Sequence, residues 1–386
     1  MGKRYLIVGS GFSGAVLANR LATETNCLVD IWEERAHSGG NCHTQRDAST
    51  QIMVHQYGPH IFNTDRKEIW DYVNRFGNFR PYVHRVKAVS KEHIYNLPVN
   101  LQTINQFFGL SMNPTEAEAF LALKADKTLV QPTNFEEQAL SFIGKELYDA
   151  FFYGYTKKQW GCEPKELPAS ILKRIPVRFN YDDNYHNHHY TGIPEEGYSA
   201  IINKMMNHPN IHLTLNKKFI PGETDTGMYD HVFYTGPLDA YFKYKHGRLG
   251  YRTVHFEKHE AVGDFQGATQ INYCDELVPY TRITEHKHFT PWEQHEKTVY
   301  FVEYSKETGV EDEPYYPKRL EKDKSILKQY RADAEKLSHI SFLGRLATYR
   351  YMDMHHVIGE ALQLADICLS CTEDQRFPVF SNTEAF

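Results

Sequence analysis

The sequence predicts an α/β protein: a doubly wound dinucleotide-binding sheet, an inserted helical domain and a multi-stranded antiparallel sheet. Three observations predict it. A glycine-rich turn, Gly9-Ser10-Gly11-Phe12-Ser13-Gly14, lies between a strand pattern and a helix pattern at the start of the chain. Helix-start signatures crowd into residues 100–160. Strand patterns then recur at short intervals from about 211 to 304, with a helix, a strand and a helix after them.

Taken in order, residues 4–8 form a short apolar strand, and 12–25 follow a helical repeat carried by Val16, Leu17 and Leu21. Residues 28–32 alternate as a second strand that ends at Glu33, completing the opening βαβ unit. Residues 84–97 read as two strands around a turn. Asn113-Pro114-Thr115-Glu116 and Thr133-Asn134-Phe135-Glu136 are helix starts, because a short polar side chain can cap the first free N–H groups. Residues 164–197 are rich in Pro, Tyr, Asp, Asn and His with weak periodicity and read as a long functional loop. Strands are expected at 211–215, 231–235, 252–257, 269–273, 279–287 and 298–304, a helix at 322–337, a strand at 340–343 and a helix at 355–367. From about 372 the chain reads as a loose tail. The implied division is 1–80, 198–250 and 321–371 for the cofactor domain, 81–98 and 251–320 for the second sheet, 99–165 for the helical insertion, 166–197 for the mobile substrate loop and sheet entry, and 372–386 for the tail.

Bulk composition narrows the function. The 386 residues carry 49 acids and 43 bases, a net charge of -6, which argues against a non-specific nucleic-acid binder. Any phosphate binding must therefore be local. The six cysteines are scattered, as expected of reduced thiols in a cytoplasmic protein, and Cys368 and Cys371 form a lone CxxC that makes a poor zinc site. No metal is expected; His186, His188 and His189 read as solvated loop histidines. No apolar run approaches a membrane span.

In the glycine turn, Gly9 permits the bend, Gly11 lets the backbone approach a pyrophosphate, and Gly14 lets helix and strand pack closely. Ser10, Phe12 and Ser13 fill the turn between them. Glu33 lies 19 residues beyond Gly14, where an acid accepts ribose hydroxyls; Glu34 is the less favoured substitute. The segment after Glu33, Arg35-Ala-His-Ser-Gly39-Gly40-Asn41, resembles the extended fingerprint of FAD-binding, amine-oxidase-like flavoproteins. The segments around Gly236 and Arg345 are of the kind that return to the cofactor in that superfamily. FAD is the expected cofactor.

Arg174 and Arg282 are candidate diphosphate clamps, since a guanidinium stays charged and can bond two phosphate oxygens. Tyr155, Tyr185, Tyr316 and Tyr351 could stack on a base or donate to phosphate. Together with YGPHIF, NLPVNLQTINQFF, FIGKELYDAFFYGYTKKQWG, ELPASILKRIPVRFNYDDNY, YTGPLDAYF, VPYTRITEHKHF, EPYYP and GRLATYRYMDMH, these segments resemble bacterial UDP-galactopyranose mutase, in order, from the first strand to about residue 370.

That resemblance implies an amine-oxidase-like fold with a helical insertion and a six-stranded sheet, a homodimer, and interconversion of UDP-galactopyranose and UDP-galactofuranose for surface polysaccharide synthesis. It implies FAD that is active when reduced, kept so by a cellular reductant such as NAD(P)H, with flavin N5 forming a covalent sugar adduct. Arg174, on a mobile loop, and Arg282 would neutralise the diphosphate, with His60 beside the reacting centre. Phe151, Phe152, Tyr155 and Thr156 would hold the uridine, with Tyr185 nearby; Trp160, Asn272, Tyr316 and Tyr351 would complete the pocket. Tyr315 and Tyr349 are the alternative members of their tyrosine pairs. His60 and Ile61 would face the flavin, with Arg345, Met352 and Asp353 on its other side. Asn63 and His84 depart from the family's usual His and Asn, and Lys157 from a more often apolar or acidic residue. The first two lie where the sugar would be, so dTDP-fucopyranose and UDP-N-acetylgalactosamine stand as alternative substrates for the same chemistry. An amine-oxidase-like flavin oxidoreductase is the rival from another reaction class.

Overall fold

The computed structural model describes residues 2–169, 171, 177–372 and 375–382. Strand β1 (Arg4–Val8), helix α1 (Phe12–Glu24) and strand β2 (Leu28–Trp32) form the opening βαβ unit. They belong to a parallel five-stranded sheet that runs Ile211–Thr214, β2, β1, His231–Tyr234, Ile340–Phe342. Successive side chains of a strand point to opposite faces, and both faces here are covered. Tyr5, Ile7, Val29, Ile31 and Phe233 pack under α1 and the helices Gly197–Met206 and Met354–Ser370. Leu6, Val232, Tyr234 and Phe342 pack on the other side with Leu327 and Tyr330 of the helix Glu321–Ala334.

The second sheet has seven strands, one more than the resemblance implies, because Tyr316–Pro317 adds a two-residue edge. It is mixed rather than antiparallel throughout: Gln270–Tyr273 runs parallel to Val86–Ser90. Its spine is the antiparallel pair Tyr251–Val262 and Lys297–Glu307, longer than the sequence patterns indicated because the exposed outer halves carry Glu, Lys and His rather than an apolar alternation. The expected strand over 279–287 is shorter, Arg282–Glu285, and turns into a 3₁₀ segment at His286–Phe289.

The helical insertion holds Leu101–Phe108, Pro114–Lys124, Phe135–Leu147 and Gly154–Trp160, with a π-helical stretch at Tyr148–Tyr153. Both helix starts are capped as their residues require: Asn113 Oδ1 accepts the Glu116 N–H and Asn134 Oδ1 the Glu137 N–H, each at 3.0 Å. The insertion's core includes Val86, Ala88, Tyr95 and Leu97 of the second sheet.

Two expectations are corrected. Residues 164–197 are not all loop: Tyr190–Pro194 pairs with Phe62–Thr64 and Phe79–Pro81 in a small third sheet, a non-local pairing invisible to local pattern. The segment after 372 is not a loose tail where it is described. Phe380 is buried, Phe377 packs on the parallel-sheet core, and the Phe342 N–H donates to Val379 O at 2.7 Å. No helix among the described residues is long and apolar enough to cross a membrane.

Candidate active site

The two sheets and the insertion enclose one continuous cleft of about 1810 Å³. Its walls hold both the glycine turn and the distant aromatic and arginine residues.

At the glycine end the backbone does the shaping. Gly9 has φ +102°, and a Cβ there would fall 2.1 Å from Thr235 Oγ1. A Cβ on Gly14 would fall 2.1 Å from Gly9 O, so helix and strand touch through bare backbone. Gly11 differs: an added Cβ would meet nothing nearer than Gly40 Cα at 3.9 Å. Gly11 and Gly40 therefore face each other across a cradle that side chains would fill. Gly11 is also the N-cap of α1 and contributes no capping side chain, which leaves the first-turn N–H groups to an anion. The residues present fit a dinucleotide pyrophosphate.

Glu33 is buried and held ready. Its Oε2 accepts from the Ser10 N–H at 2.9 Å and the Ser10 hydroxyl at 2.8 Å, and its Oε1 accepts from the Arg35 N–H at 3.0 Å. Ser10 and Gly14 thus stand behind the cleft wall, supporting the site rather than lining it. Glu34 lies on the outer rim near Lys218, 3.5 Å away. Phe12, Ser13, Asn41, Ile61, Gly236, Arg345, Met352 and Asp353 all line the cleft. The sequence reading missed the brace over this end: the Arg35 guanidinium meets Glu313 at 2.5 Å, Asn41 Oδ1 at 3.1 Å and the Tyr57 ring at 4.6 Å.

His60 borders both halves. Its Nδ1 lies 2.8 Å from Gly58 O, which can only accept, so Nδ1 carries the proton and Nε2 keeps its lone pair. Burial, with the Arg345 and Arg282 charges, pushes His60 down to about 4, so it is neutral at pH 7.

At the far end Arg282 comes from the strand Arg282–Glu285, and its Nε donates to Glu303 Oε2 at 2.6 Å. Arg282 and Glu303 are register partners on adjacent strands, and Thr284 Oγ1 donates to the other Glu303 oxygen at 2.9 Å. Burial works against the Arg282 charge, but Glu303, with Tyr155 and Tyr316 beside it, more than offsets this and holds the guanidinium protonated. A buried glutamate in the alternation Val299, Phe301, Glu303 was the signal for this partner.

Tyr316 and Tyr351 stack at 5.9 Å, Arg345 lies 5.9 Å from the Tyr316 ring, and Trp160 lies 6.4 Å from Tyr351. Tyr315 is buried and also touches the cleft. Tyr349 is buried outside it and donates to Gly250 O at 2.7 Å. Tyr155, Tyr185 and Asn272 line the same walls. Phe151, Phe152 and Thr156 do not: all three are buried, and Phe151 and Phe152 belong to the insertion's core, where Phe151 meets Tyr95 at 5.0 Å. Arg174 lies outside the described residues.

Asn63 and His84 both line the cleft. Asn63 is engaged within the protein: its Nδ2 donates to Ile61 O at 2.9 Å and its Oδ1 bonds His188 Nδ1. His84 is buried with an unpartnered Nδ1, and burial, with the charges of His186 and Arg282, pushes it down to about 3. His186 and His188 are thus wall residues, not solvated loop histidines; His186 stacks on His84 at 5.7 Å. Asp353, His355 and His356 also converge at the cleft, with ligand atoms within 4.8 Å of one another, a grouping the sequence reading missed. Cys368 is buried and, like Cys371, a free thiol.

Comparison with known proteins gives concordant matches. Residues 150–351 match the family model for UDP-galactopyranose mutase, and residues 7–76 that for an NAD(P)-binding Rossmann-like domain. The chain is 53% identical over 380 residues to a Klebsiella pneumoniae protein named probable UDP-galactopyranose mutase, covering 98% of each. It is 51% identical over 369 residues to an Escherichia coli dTDP-fucopyranose mutase, covering 94% of this chain and 98% of the other. In structure it is similar to reduced UDP-galactopyranose mutase, with a TM-score of 0.75, 16% identity and 96% of each chain covered. It also shares its fold with a putative protoporphyrinogen oxidase from Exiguobacterium, with a TM-score of 0.67, 13% identity, and 96% and 99% coverage.

Proposed function

We propose a reaction for this chain from one premise: it belongs to the UDP-galactopyranose mutase family. It is accordingly an isomerase of nucleotide sugars. The amine-oxidase rival falls away, because full-length sequence similarity links the chain to mutases and only the fold links it to oxidases. The substrate we favour is UDP-galactopyranose, converted to its furanose isomer, with FAD in the reduced state as cofactor. A nicotinamide reductant and a homodimer belong to the same reading.

The observation that carries it is the single cleft joining the glycine cradle to Arg282, Tyr155, Tyr316, Tyr351 and Trp160. Its volume exceeds the several hundred Å³ typical of one small ligand, so a dinucleotide and a second ligand fit side by side. Gly9, Gly11, Gly40 and the α1 N-terminus would hold the pyrophosphate, and Glu33 the ribose. Changing ring size breaks and remakes the bond from the anomeric carbon to the diphosphate, with no net redox change. Reduced flavin, when bound, supplies an electron-rich nucleophile for that carbon.

The protein's share is to hold the leaving diphosphate. Arg282, its plane fixed by Glu303, presents its remaining N–H groups to the phosphates. Arg174 is the second arginine assigned by the family resemblance. Neutral His60 and His84 add polarity without charge, so His60 Nε2 accepts a hydrogen bond and does not compete for the anion.

One observation keeps a second substrate open. Identity to the dTDP-fucopyranose mutase is nearly as high as to the UDP-galactopyranose mutase. The dithionite-reduced enzyme should be offered UDP-galactose, dTDP-fucose and UDP-N-acetylgalactosamine in parallel, with isomers separated chromatographically. Turnover should be greatest with UDP-galactose and should consume little reductant per product. Stoichiometric reductant use, or failure with all three sugars, overturns the proposal.

A further inference from the structure

Lys158 lies on the helix Gly154–Trp160, between Tyr155 and Trp160. Its Nζ donates to four main-chain carbonyls: Tyr273 at 2.7 Å, Asp275 at 2.8 Å, Val278 at 2.9 Å and Tyr280 at 3.0 Å. An ammonium has three N–H bonds, so four carbonyls at this range surround it as they would a small monovalent cation. Among the described residues no carboxylate oxygen lies within 4.0 Å of it. Burial pushes Lys158 down to about 8, which leaves it mostly charged at neutral pH. This ammonium sits among the carbonyls of one loop, 273–280.

That loop matters because of what it joins. Asn272 precedes it and Arg282 follows it, and the two are register partners across the adjacent strands. The lysine's helix is pressed on the loop. A Cβ on Gly154 would fall 2.4 Å from Cys274 O, so a side chain there would force the two apart. The helix end is held from the second sheet: Arg252 Nε donates to Gln159 O at 3.0 Å, its Nη2 to Lys158 O at 3.2 Å, and Ser305 Oγ to Gln159 O at 2.6 Å. Lys157 adds ion pairs to Glu276 at 2.8 Å and Glu163 at 2.9 Å, but these are exposed and worth little. The carbonyl cage is therefore the principal polar link between the helix and the loop.

We propose that Lys158 is a positioning residue whose ammonium fills a monovalent-cation cage and thereby sets Tyr155 and Trp160 against Asn272 and Arg282. The inference rests on the reading that these four residues line the nucleotide-sugar end of the cleft. Its chemical consequence is specific. A cage emptied of the lysine should accept a free ammonium ion, which presents the same N–H groups, and should reject tetramethylammonium, which presents none.

The test uses the flavin-loaded enzyme and its Lys158→Ala and Lys158→Met variants, in ammonium chloride or tetramethylammonium chloride at equal ionic strength. In tetramethylammonium, Lys158→Ala should lose at least about tenfold in kcat/KM, and amide exchange should quicken over 273–281 but not in the parallel sheet. Ammonium should restore kcat/KM to within about threefold and slow that exchange again. Lys158→Met, whose thioether occupies the cage, should gain nothing from ammonium. Equal behaviour of Lys158→Ala in the two salts overturns the proposal, as does exchange that quickens uniformly along the chain. If the wild-type enzyme turns over no nucleotide sugar, the mutase reading has failed, and the exchange comparison still decides the role of Lys158. If Lys158→Ala does not fold, refolding yields carry the comparison: a higher yield in ammonium supports the cage, and equal yields overturn it.

Discussion

The two ends of the cleft are built on different principles. The glycine end is made of backbone from neighbouring segments: Gly9, Gly11 and Gly14 lie within six residues, and Glu33 completes the same βαβ unit. Its specificity lies in what is missing, since a side chain at Gly11 would fill the cradle. The far end is made of charged and aromatic side chains drawn from the insertion, the second sheet and the 315–353 stretch. Its specificity lies in what is present and in how buried partners such as Glu303 fix it. The first end should therefore fail sterically and the second electrostatically.

The largest effect is expected from Gly11→Val. Only the open cradle lies beside the added carbon, so the fold should survive and the flavin should be lost. Circular dichroism and the visible absorbance of the purified protein check it, and full flavin retention would break the contrast between the ends. Next is Arg282→Ala, which should keep its flavin and lose about 10²–10³ in kcat, some 3–4 kcal/mol, on the scale of a lost transition-state donor. It should also lower Tm, because Glu303 is left buried and unpaired. Adding Glu303→Gln should recover Tm without recovering turnover. Arg282→Lys should rescue only part of kcat, since a point charge cannot replace the planar fork.

A smaller effect is expected from Glu33→Gln. Replacing an acceptor of three hydrogen bonds should weaken FAD binding about tenfold, or ~1.4 kcal/mol, measured by flavin titration of apoprotein. Sugar discrimination comes next. Asn63→His with His84→Asn should shift the kcat/KM ratio between UDP-galactose and the 6-deoxy or 2-acetamido sugar toward UDP-galactose by about tenfold. His84→Asn alone should carry most of the shift, because Asn63 is already engaged by His188 and Ile61. Unchanged ratios across the three sugars would place discrimination elsewhere.

A separate effect, on stability rather than on function, follows from pH. Desolvation holds His60, His84, His186 and His286 at folded-state values near 3 to 4, below the ordinary 6.5. The unfolded chain binds protons there first, so stability is full above about 6.5 and is lost as pH falls toward those values. Tm should already decline between pH 6.5 and 5, above the range where carboxylates titrate. His84→Asn should flatten that slope. A Tm independent of pH over this window would contradict the burial of these rings.

Local pattern made much of the molecule legible. The βαβ unit, the helix starts capped by Asn113 and Asn134, and most strands of the two sheets could be read because a 3.6-residue or two-residue repeat and a capping side chain are properties of short segments. Chain-long motif order also pointed to the family, and through it to Tyr316, Tyr351, Trp160 and Asn272, all of which line the cleft. What could not be read depends on distant partners. Tyr190–Pro194 is a strand because Phe62–Thr64 and Phe79–Pro81 lie beside it. Phe151 and Phe152 lie on the π-helical turn and face the insertion's core, where Phe151 packs on Tyr95. Ser10 serves Glu33 rather than a ligand.

By itself, then, the sequence determined the residue chemistry available: a glycine turn that can lie against pyrophosphate, an acid for ribose, arginines for phosphate and rings for stacking. Only the tertiary structure decided which of these meet. It set Arg282 against Glu303, left Nδ1 of His84 unpartnered while satisfying Asn63, and closed four carbonyls around Lys158. The physical reason is that hydrogen bonds, desolvation and charge pairing act over a few ångströms in space, whereas Arg282 and Glu303, Asn63 and His188, and Lys158 and its carbonyls lie 21 to 125 residues apart along the chain.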